Sequence, residues 1–199
     1  MAIPRIILAS RSKARNAMLR RVGIPFETIP AFINEEEILK QMLQSGIQPE
    51  DIAMNLAEEK ATVISKEYQD NTVIGSDQVL IFDGHVFQKA QKKDEARQKL
   101  KTLRGKTHTL ISTVCLAKKG DVIWEARSEA TLQMRDFDDA FLEDYLESAG
   151  SVLMDCVGCY AIEESGAWLF DKVEGDIFTI MGMPLLPLLG FMKELGFRP

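Results

Sequence analysis

Apolar runs of strand length alternate along this chain with stretches of helical periodicity, and hairpin signals interrupt the alternation. That combination constrains the fold more than any other feature, because it demands a sheet with both parallel and antiparallel neighbours. Ile6-Ile7-Leu8-Ala9 reads as a short buried strand. The turn Ser10-Arg11-Ser12 follows, then a helical pattern through Ala14, Met18, Leu19 and Val22 that Gly23 and Pro25 stop, with Ser12 as the expected N-cap. Phe26 to Pro30 reads as a second strand, and the acidic turn Asn34-Glu35-Glu36-Glu37 leads into a helix that Gly46 ends. Pro49 to about Tyr68 is the longest helical pattern. Thr72–Ile74 and Val79–Phe82 read as strand segments flanking Gly75-Ser76-Asp77-Gln78, and Asp83-Gly84 is a strong hairpin signal. A charged helix is expected from about Lys92 to Leu103, two strands near Thr107–Ala117 and Val122–Met134 around a Gly120-Asp121 turn, and helices near Asp138–Ser148 and from Pro184 to Gly196. No repeat, low-complexity tract or linker stands out, so residues 1–199 read as one domain of two closely packed lobes. The expected fold class is α/β, a mixed sheet flanked by helices rather than a purely parallel doubly wound one.

The net charge of −6 argues against nucleic acid or an anionic membrane as a partner of the whole surface. Local positive charge is therefore informative. Arg5, Arg11, Lys13, Arg15, Arg20 and Arg21 form a run with no acidic residue among them, which reads either as a small-anion site or as a solvated helix face. No apolar stretch approaches the ~20 residues that span a bilayer. The apolar run in Met1-Ala2-Ile3-Pro4-Arg5-Ile6-Ile7-Leu8 is too short for a secretory signal. Three cysteines do not make a disulfide framework, and with these features they point to the cytosol. Cys156 and Cys159 form a C-x-x-C that suits a redox pair or half a zinc site, yet Cys115, His85 and His108 lie at no recognisable zinc spacing, so the cysteines read as structural.

Four places carry chemistry. A strand entering a helix through Ser10-Arg11-Ser12 presents free backbone N–H groups and the positive end of the helix dipole, with Ser10 and Ser12 hydroxyls and the Arg15 fork suited to phosphate. The glycines of a P-loop are absent. Lys60 falls inside the apolar stripe formed by Ile52, Leu56 and Val63 with Ala53, Ala57 and Ile64, so it must snorkel out or meet an anion, either a phosphate or a carboxylate such as Glu35. Asp77, expected at a strand end beside a turn, suits a metal ligand or a general base. Lys89, beyond the hairpin, offers another phosphate contact or a solvated edge charge. Together these residues match what cleavage of a triphosphate needs: cations for developing charge, oxygen ligands for Mg²⁺, and a base for water.

The order Leu8-Ala9-Ser10-x-Ser12-x-x-Arg15, Glu35, Leu56-Ala57-x-x-Lys60-Ala61, Gly75-Ser76-Asp77-Gln78 and Lys89 resembles the Maf family of nucleotide pyrophosphatases. So do Leu103-x-Gly105-x-Thr107-His108, Tyr145, Gly158-x-Tyr160-x-Ile162-Glu163, Glu174-Gly175-Asp176 and Gly182-Met183-Pro184-Leu185. The resemblance implies a mixed, curved α/β sheet with two lobes around a deep nucleotide-binding cleft, often in a homodimer. It also implies Mg²⁺- or Mn²⁺-dependent hydrolysis of a nucleoside triphosphate to the monophosphate and pyrophosphate. By position it assigns Asp77 as proton acceptor, Ser10, Ser12, Arg15, Lys60 and Lys89 to the phosphates, and Glu35 with Asp77 to the metal. Glu163 becomes the base reader, with Ala14 and Gln78 as further specificity positions. A carboxylate at 163 can accept from the N1–H and exocyclic amine of a guanine edge, and the Gln78/Glu163 combination resembles the branch acting on 7-methyl-GTP. The chain departs from the pattern at Lys13 and Ala90, where the family usually has proline, at Ala14, where it has arginine or tryptophan, and in Val157-Gly158-Cys159-Tyr160. Two other readings of the same cations are a nucleotide-binding regulator of division with little hydrolysis, and a nucleotidyl or phosphate-ester enzyme that releases phosphate or transfers the nucleotide.

Overall fold

Strand β1 (Ile6–Leu8) is buried along its whole length, as an unbroken apolar run between two neighbours should be. It lies parallel to β2 (Phe26–Thr28) on one side and to β3 (Thr72–Phe82) on the other. Helix α1 (Lys13–Arg21) makes the crossover from β1 to β2, and α2 (Glu35–Gln44) and α3 (Pro49–Glu67) make the crossover to β3. Beyond β3 the sheet turns antiparallel through β5 (Thr107–Lys118), β6 (Asp121–Met134) and β7 (Phe170–Glu174), while the short β4 (His85–Phe87) pairs the far end of β3. The computed structural model describes residues 4–198; Met1–Ile3, part of the segment read for a secretory signal, lie outside them. The result is the expected mixed sheet flanked by helices, here with seven strands among the described residues.

The period of two along a strand divides the core. Ile6 and Leu8 pack with Met18 and Leu19 of α1 and with Leu185 and Leu188 of α8 (Leu185–Glu194). Ile7 and Ala9 join Ala57, Ala61 and Ile64 of α3. A third cluster holds Leu80, Leu110 and Leu132 against Leu100 and Leu103 of α4 (Lys93–Leu103) and Leu142, Tyr145 and Leu146 of α5 (Asp139–Ser148).

One expectation about β3 is corrected. Thr72–Ile74 and Val79–Phe82 are not separate segments around a turn: Thr72–Phe82 is one unbroken strand, so Asp77 sits mid-strand. Gly75 is present because α3 lies against the strand there. A Cβ at Gly75 would stand 2.1 Å from the Ala57 carbonyl oxygen and 2.8 Å from the Ala61 Cβ. The two-residue turn after β3 uses Asp83 and Gly84, both left-handed at φ 53° and 74°, the requirement of a type I′ hairpin. The three glutamates from Glu35 form the first turn of α2 rather than a turn before it; Asn34 is the cap, accepting from the Glu37 N–H. The short helices α6 (Val152–Asp155) and α7 (Ile177–Ile180) and the edge strand β7 have no counterpart in the sequence reading.

Candidate active site

Alternation along β3 sends Asp77 to the α3 side and its neighbours Ser76 and Gln78 to the other, so one strand furnishes two walls of a site. On the α3 side the apolar stripe carries Lys60 inward, and the lysine is buried at 5% exposure. Its ammonium lies 2.6 Å from Asp77 Oδ1 and 2.9 Å from Glu35 Oε2, in the first turn of α2. The partner anion that burial of Lys60 requires is thus a pair of carboxylates from two other elements. Asp77 is 8% exposed, whereas the Glu35 side chain is 46% exposed and reaches in from the rim.

On the other side Ser12 caps α1, its Oγ accepting from the Arg15 N–H at 3.3 Å, and Ser10 Oγ accepts from the Ser12 N–H at 3.2 Å. Arg15 is buried; its Nε donates to Gly182 O at 2.8 Å and its Nη1 to Ser10 Oγ at 3.3 Å. Burial lowers the Arg15 pKa from its ordinary value, and the charges of Asp77 and then Glu35 oppose that shift. Ser76 Oγ lies 3.1 Å from the same Gly182 O and 2.8 Å from Thr113 O, so its single hydrogen is shared between the carbonyl that orients the guanidinium and the neighbouring strand. Gln78 spends its amide hydrogens on the protein: Ser112 Oγ, Thr179 O and Ile180 O all lie 3.0 Å from Nε2, three acceptors sharing two hydrogens. Its carbonyl oxygen is what it has left to offer a ligand.

One cavity of about 830 Å³ is lined by all ten residues assigned to catalysis, phosphate, metal or base: Ser10, Ser12, Ala14 and Arg15 from the α1 entry, Glu35 and Lys60 opposite, Asp77 and Gln78 from β3, and Lys89 and Glu163 from two loops. That volume lies within the range of small-molecule sites. Lys89 and Glu163 are exposed. Both act on Cys156, another lining residue: burial pushes its thiol up to about 11, Glu163 adds to the shift and Lys89 opposes it. Cys156 is therefore a neutral thiol at physiological pH, and Cys115, Cys156 and Cys159 are all unpaired.

The loop bearing Glu163 is fixed by residues to which the sequence reading gave no role. Tyr160 Oη lies 2.6 Å from His108 Nε2, and Tyr145 Oη donates to Cys159 O at 2.9 Å. Gly158 makes room for the Tyr160 ring, which an added Cβ would meet at 2.2 Å, and Cys159 takes a left-handed φ of 60°. Asp176 caps α7 through the Thr179 N–H at 3.0 Å, setting the carbonyls that hold Gln78. The only sequence signal for these roles was their membership of the quoted motifs. Lys13, at the proline position, reaches Asp155 across the cavity rim at 3.6 Å; both side chains are exposed, and such a pair contributes little.

The sequence profile of the family described as Maf-like protein matches residues 5–195. A protein of Granulibacter bethesdensis called nucleoside triphosphate pyrophosphatase is 44% identical over 190 residues, 96% of each chain. A protein of Caulobacter vibrioides with the same name is 42% identical over 196 residues, 98% of each chain. One of Brucella abortus called 7-methyl-GTP pyrophosphatase is 41% identical over 190 residues, again 96% of each. A profile match over residues 5–195, with relatives 41–44% identical across nearly the whole chain, means that this chain belongs to the Maf family.

Proposed function

We propose that the chain hydrolyses a nucleoside triphosphate between its α- and β-phosphates, yielding the monophosphate and pyrophosphate. The observation that carries this reading is a buried carboxylate, Asp77, bonded to Lys60 at 2.6 Å in the wall of a nucleotide-sized cavity that buried Arg15 also lines. A binding protein has no need of such a group, whereas hydrolysis needs a base beside its cations. The names of the relatives support the same reaction.

In this mechanism Ser10, Ser12 and the first turn of α1 receive phosphate oxygens, and Arg15 holds them with the part of its fork that Gly182 and Ser10 leave free. Lys60 and Lys89 neutralise charge on the leaving pyrophosphate. Asp77 orients a water and takes its proton as the water oxygen bonds to the α-phosphorus and the bond to the bridging oxygen breaks. Glu35 assists at the rim.

The family implies Mg²⁺ or Mn²⁺, and the donor set fits. Among the described residues no three His, Cys, Asp or Glu side chains form a metal cage. A hard dication of this kind is usually held by one or two carboxylates together with substrate phosphates, which is what Asp77 and Glu35 offer on facing walls. Those two residues would hold it, and when bound it would neutralise phosphate charge.

The acceptors Glu163 and the Gln78 carbonyl support a base with donors along its edge, as guanine-type nucleotides have, and 7-methyl-GTP is the modified nucleotide a relative's name supplies. Among the described residues no helix is long and apolar enough to cross a membrane, and the unpaired cysteines support a reducing compartment, the cytosol. The test is pyrophosphate release with Mg²⁺ or Mn²⁺ across 7-methyl-GTP, GTP, ITP, XTP, UTP, CTP and dTTP. Release with a guanine-type preference supports reaction and base reading together. A pyrimidine preference keeps the reaction and removes Glu163 as reader, and silence with retained nucleotide binding removes the reaction.

A further inference from the structure

We propose that Lys60 is a resident cation occupying the metal position of the nucleotide-free enzyme, so that the divalent ion enters only with the triphosphate. The inference rests on the function proposed above and concerns how its site is loaded. The ammonium bonds to Asp77 Oδ1 at 2.6 Å and Glu35 Oε2 at 2.9 Å, the two carboxylates that would hold the metal. These acids come from the middle of β3 and the first turn of α2, and Lys60 joins them. Among the described residues no other carboxylate lies within ion-pair distance of its Nζ.

Lys60 and Asp77 are screened from solvent, with 6% and 11% of their side chains exposed, while Glu35 reaches them from the rim at 46%. Like charges brought together there are weakly screened, so a dication and the ammonium cannot share these oxygens and must compete for them. Arg15 does not relieve the competition, because its own bonds run to Gly182 O and Ser10 Oγ. A triphosphate does relieve it. Its oxygens give the ammonium a new partner on the same cavity wall, and the carboxylates pass to the metal. Linkage then requires nucleotide and metal to raise each other's affinity for the protein.

The experiment measures Mn²⁺ binding to the nucleotide-free protein by electron paramagnetic resonance of unbound Mn²⁺, for wild type, Lys60→Met and Lys60→Gln. The glutamine retains hydrogen bonding to the carboxylates without the charge. Wild type is expected to show no saturable site, and each folded variant to bind one Mn²⁺ at least about tenfold more tightly, within the range of coupled sites. Adding Glu35→Gln to Lys60→Met is expected to abolish that gain. Folded variants that gain no affinity overturn the proposal. So does one-site binding to the free wild-type protein, a result that stands whether or not the variants fold. Pyrophosphate release on the same wild-type preparation separates the two ideas. Metal-dependent turnover by an enzyme that already binds Mn²⁺ when empty sinks the exchange alone, and absence of turnover sinks the function.

Discussion

Replacing Gly75 by alanine tests the packing that brings Lys60 to Asp77. The new methyl would lie 2.1 Å from a backbone oxygen, Ala57 O, and 2.8 Å from Ala61 Cβ. Neighbouring heavy atoms pack at about 3.5 Å, so α3 and β3 must part by roughly 1 Å. A gap of about 0.5–1 Å forfeits a quarter to a half of each dispersion contact across it. Ala57, Ala61, Ile64 and Val73, all buried at that interface, would lose contact. Overpacking a core costs about 1–3 kcal/mol, and a backbone obstacle puts this change at the upper end, about 3 kcal/mol. For a chain of this size that is a fall in Tm of roughly 6–12 °C. Lys60 sits one turn beyond Ala57 on α3, so the same retreat lengthens its 2.6 Å bond to Asp77 and turnover falls with stability. Guanidinium unfolding and pyrophosphate release read the two effects. The double variant Gly75→Ala/Ala61→Gly removes the methyl contact but leaves the carbonyl one, so it should recover less than half of the lost stability. An alanine variant within about 1 kcal/mol of wild type, or full rescue by Ala61→Gly, refutes the reasoning.

Asp77→Asn should lower kcat by about 10²–10⁴-fold while nucleotide binding, followed by calorimetry, persists; near-normal turnover removes Asp77 from the base role. Glu163→Gln supplies a donor where the wild type has acceptors, so the kcat/KM ratio of guanine-type to pyrimidine substrates should fall by about tenfold, and an unchanged ratio removes the base reading. Burial lowers the His108 pKa from 6.5 to about 4, so the unfolded chain binds this proton first as pH falls. Stability is complete above pH ~6.5 and declines towards pH ~4, by about 2 kcal/mol at pH 5 from this group. Denaturation midpoints from pH 7.5 to 4.5 should fall less steeply in His108→Gln, and parallel slopes exclude His108 as the cause.

The local elements were legible because each has a local cause. Ser12 capping α1, the stop at Gly23, the Asp83-Gly84 turn and the inward face of Lys60 follow from backbone preference and periodicity within a few residues. Edge strand β7 was not legible, since all but the first of its residues are exposed and it carries no alternation. The four-residue helices α6 and α7 are too short to show a period. Gly75 misled for a related reason: read locally, Gly-Ser-Asp signals a turn, but the glycine is there to admit the backbone of α3.

The sequence by itself determined the kind of chemistry available. It held a serine turn entering a helix, a lysine that could not stay buried alone, an aspartate among apolar neighbours, and motifs in an order that places the chain in its family. Which charges meet was decided by tertiary structure. Glu35, Lys60 and Asp77 lie on three different elements and converge on one ammonium, and Gly182 anchors Arg15 from the far end of the chain. Periodicity states which way a side chain faces its own element. Only the docking of α2 and α3 on β3, set by a missing side chain at Gly75 and small ones at Ala57 and Ala61, decides what it finds there.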